Sequence, residues 1–84
     1  MKIRLFIKPH CGWCWEAKEW LDKRGVVYDL IDVIENDRVY REMQEISGQH
    51  LAPVLDVDGA VLADFGVDEL EEFWHEQGLD QALG

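Results

Sequence analysis

Cysteine is scarce in this chain of 84 residues, which contains only Cys11 and Cys14. Two cysteines are too few for the disulfide framework of a small secreted protein, and in a reducing compartment such a close pair is usually catalytic or metal-binding. Apolar runs are short as well, because the one near the start ends at Lys8, too early for a signal peptide or a membrane-spanning helix. We therefore expect a cytoplasmic protein that does not associate with membranes.

Basic residues are also few, since 8 Lys and Arg face 18 Asp and Glu and give a formal net charge of -10. Such a surface repels the phosphates of nucleic acids, which are therefore not expected as partners. The chain also lacks internal repeats, low-complexity segments and linkers. Its length and its 48% content of hydrophobic residues are sufficient for one core. We expect a single domain over residues 1–84 and a monomer, with residues 79–84 as a short tail packed through Leu79 and Leu83.

Two periodicities alternate along the chain and predict its secondary structure. Residues 2–7 alternate charged and apolar side chains as a half-buried strand does, whereas Cys14, Ala17 and Leu21 recur at helical spacing. Asp58-Gly59 lies between two apolar stretches and favours a hairpin turn. The predicted strands are 2–7, 26–33, 53–57 and 60–63, and the predicted helices are 12–24, a helix from a cap at Asn36 or Asp37 to Ser47-Gly48, and 67–77.

The predicted order is therefore βαβαββα, an α/β arrangement. A helical crossover joins the first two strands, so they should be parallel, while the hairpin adds two antiparallel strands. We expect a mixed four-stranded sheet flanked by three helices that cover both of its faces.

The chemistry of the chain is expected at Cys11-Gly12-Trp13-Cys14, where the first strand ends and the first helix begins. Unpaired N–H groups and the positive end of the helix dipole favour a thiolate at Cys11. Cys14 lies one turn further along the same helical face. The spacing predicts that Cys11 attacks a disulfide as the nucleophile and that Cys14 resolves the mixed disulfide.

Two other interpretations of the pair remain open at this point. The cysteines could form half of a zinc site that His10 and His50 complete, although zinc sites normally draw four ligands with recurrent spacing and His75 lies far along the chain. They could also be inert core residues. Cys11 follows a Pro-His loop rather than a core strand, which argues against an inert role.

Several motifs then occur together over nearly the whole chain. They are Lys8-Pro9-His10-Cys11-Gly12-Trp13-Cys14, Ala17-Lys18, Ser47-Gly48 and Leu51-Ala52-Pro53-Val54. With this combination the chain resembles the glutaredoxin family of the thioredoxin superfamily. The resemblance implies the thioredoxin fold and a thiol-disulfide oxidoreductase that reduces protein or mixed disulfides, acting as an electron donor in cell redox homeostasis.

The resemblance also implies a substrate-binding surface around the pair. A cis bond before Pro53 would place the backbone of Ala52 against the sulfurs, where an extended substrate can pair with it like an added strand. A strand-starting proline is the alternative. Lys8 could support the thiolate or bind a carboxylate, or be a solvated charge, and Trp13 could be a substrate platform or a plain surface residue. The candidate substrate-binding residues are Lys8, Trp13, Leu51, Ala52, Pro53 and Phe65.

Departures from the family pattern bear on the reductant. Glutaredoxins usually carry Thr-Val before the proline and Gly-Gly after the last strand to hold glutathione, whereas this chain has Leu51-Ala52 and Ala63-Asp64. Asp64 would repel the anionic tripeptide. The stretch with Phe65 and Asp68 is similar to NrdH-type redoxins, which imply thioredoxin reductase instead. We expect no tightly bound cofactor and no metal, with glutathione or thioredoxin reductase as reductant; an iron-sulfur cluster, which Gly12 would permit, is the alternative.

Overall fold

The structure of residues 1–80 is a computed structural model with four strands and three helices. The predicted order βαβαββα is confirmed, and most boundaries agree within one residue. The expected contact of the tail through Leu83 lies outside the described residues, whereas Leu79 is buried. The elements are β1 (Ile3–Ile7), α1 (Gly12–Lys23), β2 (Asp29–Asp32), α2 (Asp37–Ser47), β3 (Val54–Val57), β4 (Ala60–Ala63) and α3 (Val67–Glu76).

The four strands form one mixed sheet in the order β2-β1-β3-β4. β1 is parallel to β2 and antiparallel to β3, and β3 is antiparallel to β4. The hairpin between β3 and β4 turns at Asp58 and Gly59, which have φ of 48° and 94°, as the Asp-Gly pair predicts. β1 is therefore a central strand, and its carboxyl end delivers Cys11 to the edge of the sheet.

The second strand is shorter than predicted. The N–H of Val26 bonds to the carbonyl of Leu21 and closes the end of α1 after Gly25, which has φ of 68°. Pairing with β1 begins only at Asp29, opposite Arg4. The β-branched residues before Asp29 led to the prediction of a longer strand. Val26 is buried in the core, but it does not pair with β1.

Each face of the sheet has its own hydrophobic layer, as expected from helices on both faces. On one face, Ile3, Leu5 and Ile7 pack beneath α1 and α3 together with the edge-to-face pair Trp20 and Trp74, whose ring centroids are 5.4 Å apart. On the other face, α2 packs over the sheet through a smaller cluster. Its buried members are Phe6, Val33, Met43 and Val54.

A charged network ties the α2 face to the central strands. Arg4 donates to Asp56 Oδ2 at 2.6 and 3.0 Å and to Glu42 Oε2 at 2.8 Å. Asp56 is 8% exposed, and its other oxygen accepts the N–H of Gly59 at 2.9 Å. The buried carboxylate therefore has partners on both oxygens. Within residues 1–80, no helix combines the length and the apolar character needed to cross a membrane.

Candidate active site

The first cysteine caps the helix that follows β1. Cys11 has extended backbone angles, φ -98° and ψ 109°, and its Sγ accepts the N–H of Cys14 at 3.2 Å. The carbonyl of Cys11 also accepts backbone N–H groups of the first turn. The sulfur thus occupies the place of a capping side chain, where unpaired N–H groups of a helix favour negative charge.

The two sulfurs have different surroundings. Both cysteines are free; Cys11 is partly exposed, whereas Cys14 is fully buried in the core beneath α1. Burial, followed in size by a hydrogen bond with Cys11, raises the pKa of the Cys14 thiol to about 12. A reagent in solution can therefore reach Cys11, while Cys14 stays protonated near neutral pH.

The loop before β3 lies against Cys11. The bond between Ala52 and Pro53 is cis, as expected from the resemblance, and Pro53 is buried. The Cys11 thiol donates to the Ala52 carbonyl at 3.7 Å, and the Pro53 carbonyl accepts the N–H of Asp64 at 2.9 Å. Within residues 1–80 the N–H of Ala52 has no hydrogen-bond partner. The backbone of the half-buried Ala52, with an N–H that is available to a ligand, therefore lies beside the partly exposed sulfur of Cys11.

Lys8 is held by the same loop. Its ammonium donates to the His50 carbonyl at 3.0 Å and lies 5.1 Å from the centroid of the Tyr40 ring. The Tyr40 hydroxyl donates to the same carbonyl at 3.1 Å. Lys8 thus stabilises the loop before β3, a contact that the sequence did not indicate. Tyr40 binds the same carbonyl and therefore also lies beside the site.

The aromatic and apolar candidates fall into two groups. Trp13 and Leu51 are 54% and 45% exposed, so both side chains are available at the surface around Cys11. Trp15 is also partly exposed, but its indole N–H is anchored to the Pro9 carbonyl at 2.9 Å. Phe65 is only 1% exposed and packs in the core. Its ring lies in the layer beneath α1 and α3, and its contact with substrate stays a prediction.

Gln49 belongs to the site although sequence reasoning missed it. Its amide accepts the N–H of Leu51 at 2.7 Å and donates to the Leu51 carbonyl at 2.9 Å. It also donates to the Ser47 hydroxyl at 3.0 Å. The only signal in the sequence is a polar amide between Gly48 and Pro53, which is common in loops of no function.

The zinc interpretation finds no ligand set in the described part of the chain. His10 and His50 are exposed, and no three His, Cys, Asp or Glu side chains among residues 1–80 are grouped so that they could hold a metal ion.

Asp64, which replaces a family glycine, is exposed and has φ of 51°. Glycine adopts such a positive φ without steric cost, so the backbone at Asp64 would accept a glycine.

Comparison with known proteins decides the family. The family model described as Glutaredoxin matches residues 3–62. The chain belongs to the glutaredoxin family. A curated glutaredoxin of Neisseria meningitidis is 30% identical over 82 residues, which cover 96% of this chain and 94% of the relative. Membership indicates thiol oxidoreductase chemistry as the class of activity.

Solved structures confirm the thioredoxin fold of this glutaredoxin. The crystal structure of the thioredoxin-like protein BC3987 superimposes with a TM-score of 0.78 at 26% identity, covering 86% of this chain and 99% of that one. NrdH-redoxin from Escherichia coli, a glutaredoxin-like protein described as having a thioredoxin-like activity profile, gives a TM-score of 0.72 at 21% identity, covering 86% and 93%. At that identity the second likeness concerns the fold alone.

Proposed function

We propose that this glutaredoxin is a dithiol oxidoreductase that reduces protein or mixed disulfides, with Cys11 as nucleophile and Cys14 as resolving thiol. The observation that carries the proposal is the contrast between the two sulfurs. Cys11 is partly exposed and accepts an N–H at the start of α1, whereas Cys14 is buried one turn away. A substrate disulfide can therefore meet only one of them directly.

The reaction proceeds in two exchanges. The Cys11 thiolate attacks one substrate sulfur, a new S–S bond forms, and the other substrate sulfur leaves as a thiolate that takes up a proton. Cys14 then loses its proton and attacks Cys11, which forms the intramolecular disulfide and releases the second substrate sulfur to be protonated. Two electrons pass to the substrate, and an external reductant returns them.

Ala52 is the proposed backbone contact for the substrate. Its N–H is available within the described residues, and its carbonyl lies 3.7 Å from Cys11 Sγ. An extended peptide beside the sulfur can accept from that N–H and donate to that carbonyl, as in strand addition. Trp13 and Leu51 offer apolar surface around this contact.

The reductant is glutathione or thioredoxin reductase, and Asp64 favours the second. Its carboxylate is exposed just beyond β4, where the family usually has glycines, and it disfavours an anionic tripeptide. A cytoplasmic setting suits the protein, because reducing compartments keep such pairs as thiols.

The function is tested by reduction of a disulfide substrate with two NADPH-regenerated systems in parallel, glutathione with glutathione reductase and thioredoxin reductase alone. Turnover with either system is expected, and its source identifies the reductant. Cys11→Ser should abolish turnover, whereas Cys14→Ser should accumulate a mixed disulfide visible by mass spectrometry. A fully active Cys11→Ser protein would refute the assignment.

A further inference from the structure

The segment between α2 and β3 is braced by side chains rather than by a sheet. It runs from residue 49 to residue 52, outside the strands of the sheet. Loops of this kind are commonly the mobile parts of a fold. Here, two separate sets of hydrogen bonds from side chains fix the main chain immediately before the Ala52 contact.

The first brace is the Gln49 amide. It bonds to both the N–H and the carbonyl of Leu51, at 2.7 and 2.9 Å, which is the pair of bonds that a neighbouring strand would form. Its second amide hydrogen bonds to Ser47 Oγ, which in turn contacts the last turn of α2 through the Met43 carbonyl. The side chain thus links Leu51 to a helix and occupies both of its backbone groups.

The second brace acts one residue earlier. Lys8 and Tyr40 both donate to the His50 carbonyl, at 3.0 and 3.1 Å, from the loop after β1 and from α2 respectively. The main chain is therefore fixed at His50 and at Leu51. The N–H of the next residue, Ala52, has no partner within residues 1–80.

We propose that Gln49 is a positioning residue that confines strand-like pairing of substrate to Ala52, with Tyr40 supporting it from α2. The inference rests on the proposed function. By occupying both backbone groups of Leu51, Gln49 prevents a peptide from pairing with Leu51 instead of Ala52, which would take its disulfide away from Cys11. It also holds Ala52 at the distance at which its carbonyl meets the sulfur.

The test compares three disulfides with the full-length chain. These are 2-hydroxyethyl disulfide, a peptide in mixed disulfide with a small thiol, and the same peptide methylated at the backbone nitrogens at and beside its cysteine. In the wild type the unmodified peptide should have a lower KM than its methylated form. In Gln49→Glu, which loses the amide donors, this advantage should shrink about tenfold, the size expected when two neutral hydrogen bonds are lost.

The control is Gln44→Glu, which makes the same chemical change on the exposed side of α2 and should retain the full advantage. Tyr40→Phe provides a second variant that adds no charge, and it should lose part of the advantage in the same direction. In Gln49→Glu and Tyr40→Phe, reduction of 2-hydroxyethyl disulfide should be affected less than reduction of the unmodified peptide, because that substrate has no backbone to pair.

The outcomes separate the possible failures. An unchanged ratio of the two peptide KM values in Gln49→Glu and Tyr40→Phe would overturn the inference. So would an equal loss on all three disulfides, because that would indicate a purely structural role. Failure of the wild type to reduce even 2-hydroxyethyl disulfide would overturn the proposed function, and the inference with it.

Discussion

Cys14 allows a quantitative test of how the fold sets thiol reactivity. The residue is fully buried, and its pKa is raised from 9.0 to about 12, first by burial and then by its hydrogen bond with Cys11. Cys11→Ser makes Cys14 the only thiol in the chain and retains the burial, which is the larger cause. Any remaining reactivity then belongs to Cys14 alone.

The magnitude follows from the thiolate fraction. At pH 8 a thiol of pKa 9.0 is about one-tenth ionised, whereas one of pKa about 12 is ionised in about one molecule in ten thousand. Only the thiolate reacts with iodoacetamide, so folding should slow alkylation of Cys14 about thousandfold. The variant removes the contributions of Cys11 and keeps burial, the largest cause, so the slowing should be smaller than this but should still exceed about tenfold.

The assay measures alkylation of Cys11→Ser by mass spectrometry in buffer and in urea. Cys14→Ser, in which Cys11 is the only thiol, controls for the reagent and should be alkylated readily in the folded state. Alkylation of folded Cys11→Ser within about tenfold of the rate in urea would refute the reasoning, because neither burial nor a raised pKa could then be protecting Cys14.

The same shift has a consequence for stability against pH. Below pH 9 Cys14 is protonated in both states, whereas between pH 9 and about 12 only the unfolded chain loses the proton, so stability falls as pH rises. The full shift corresponds to at most about 4 kcal/mol. Tyr28 contributes in the same direction above pH 10, because burial and a hydrogen bond to Asp22 raise its pKa. We therefore compare two proteins that both carry Tyr28→Phe. The free energy of unfolding, measured by urea denaturation, should fall less steeply with rising pH when Cys14→Ala is added than when Cys14 is retained.

Two further predictions concern stability and the reductant. Arg4→Met leaves the buried Asp56 carboxylate without its cation and should lower the free energy of unfolding by about 3 kcal/mol in urea denaturation. Lys23→Met, which removes an exposed pair, should change it little, and equal losses would contradict the importance of burial. Asp64→Gly suits the positive φ and removes the carboxylate, so it should keep the fold and lower KM for glutathione several-fold in the coupled assay. An unchanged KM would mean that Asp64 does not govern the reductant.

Local signals in the sequence were sufficient for the fold and for the pair. Three predictions depend only on neighbouring residues, and all three agree with the structure. They are the strand β1 from its alternation, the hairpin turn from Asp-Gly, and the position of Cys11 at the start of a helix. The sequence did not indicate that Phe65 lies in the core, because a motif gives position along the chain but not burial. The bracing of His50 by Lys8 joins residues 42 positions apart, and no local pattern predicts a contact that only the packed fold creates.

The contrast between the two sulfurs also sets the order of events in the proposed mechanism. A thiol of high pKa is a strong nucleophile once deprotonated but is rarely deprotonated, whereas the Cys11 sulfur is partly exposed and accepts the N–H of Cys14 at the start of α1. Cys14 therefore does not compete for incoming disulfides, and it acts only when a mixed disulfide on Cys11 is held one turn away. Cys14 gives up its proton to solvent before it attacks, and the substrate thiolate released by the attack takes up a proton in turn, so burial of Cys14 protects the resolving thiol without preventing resolution.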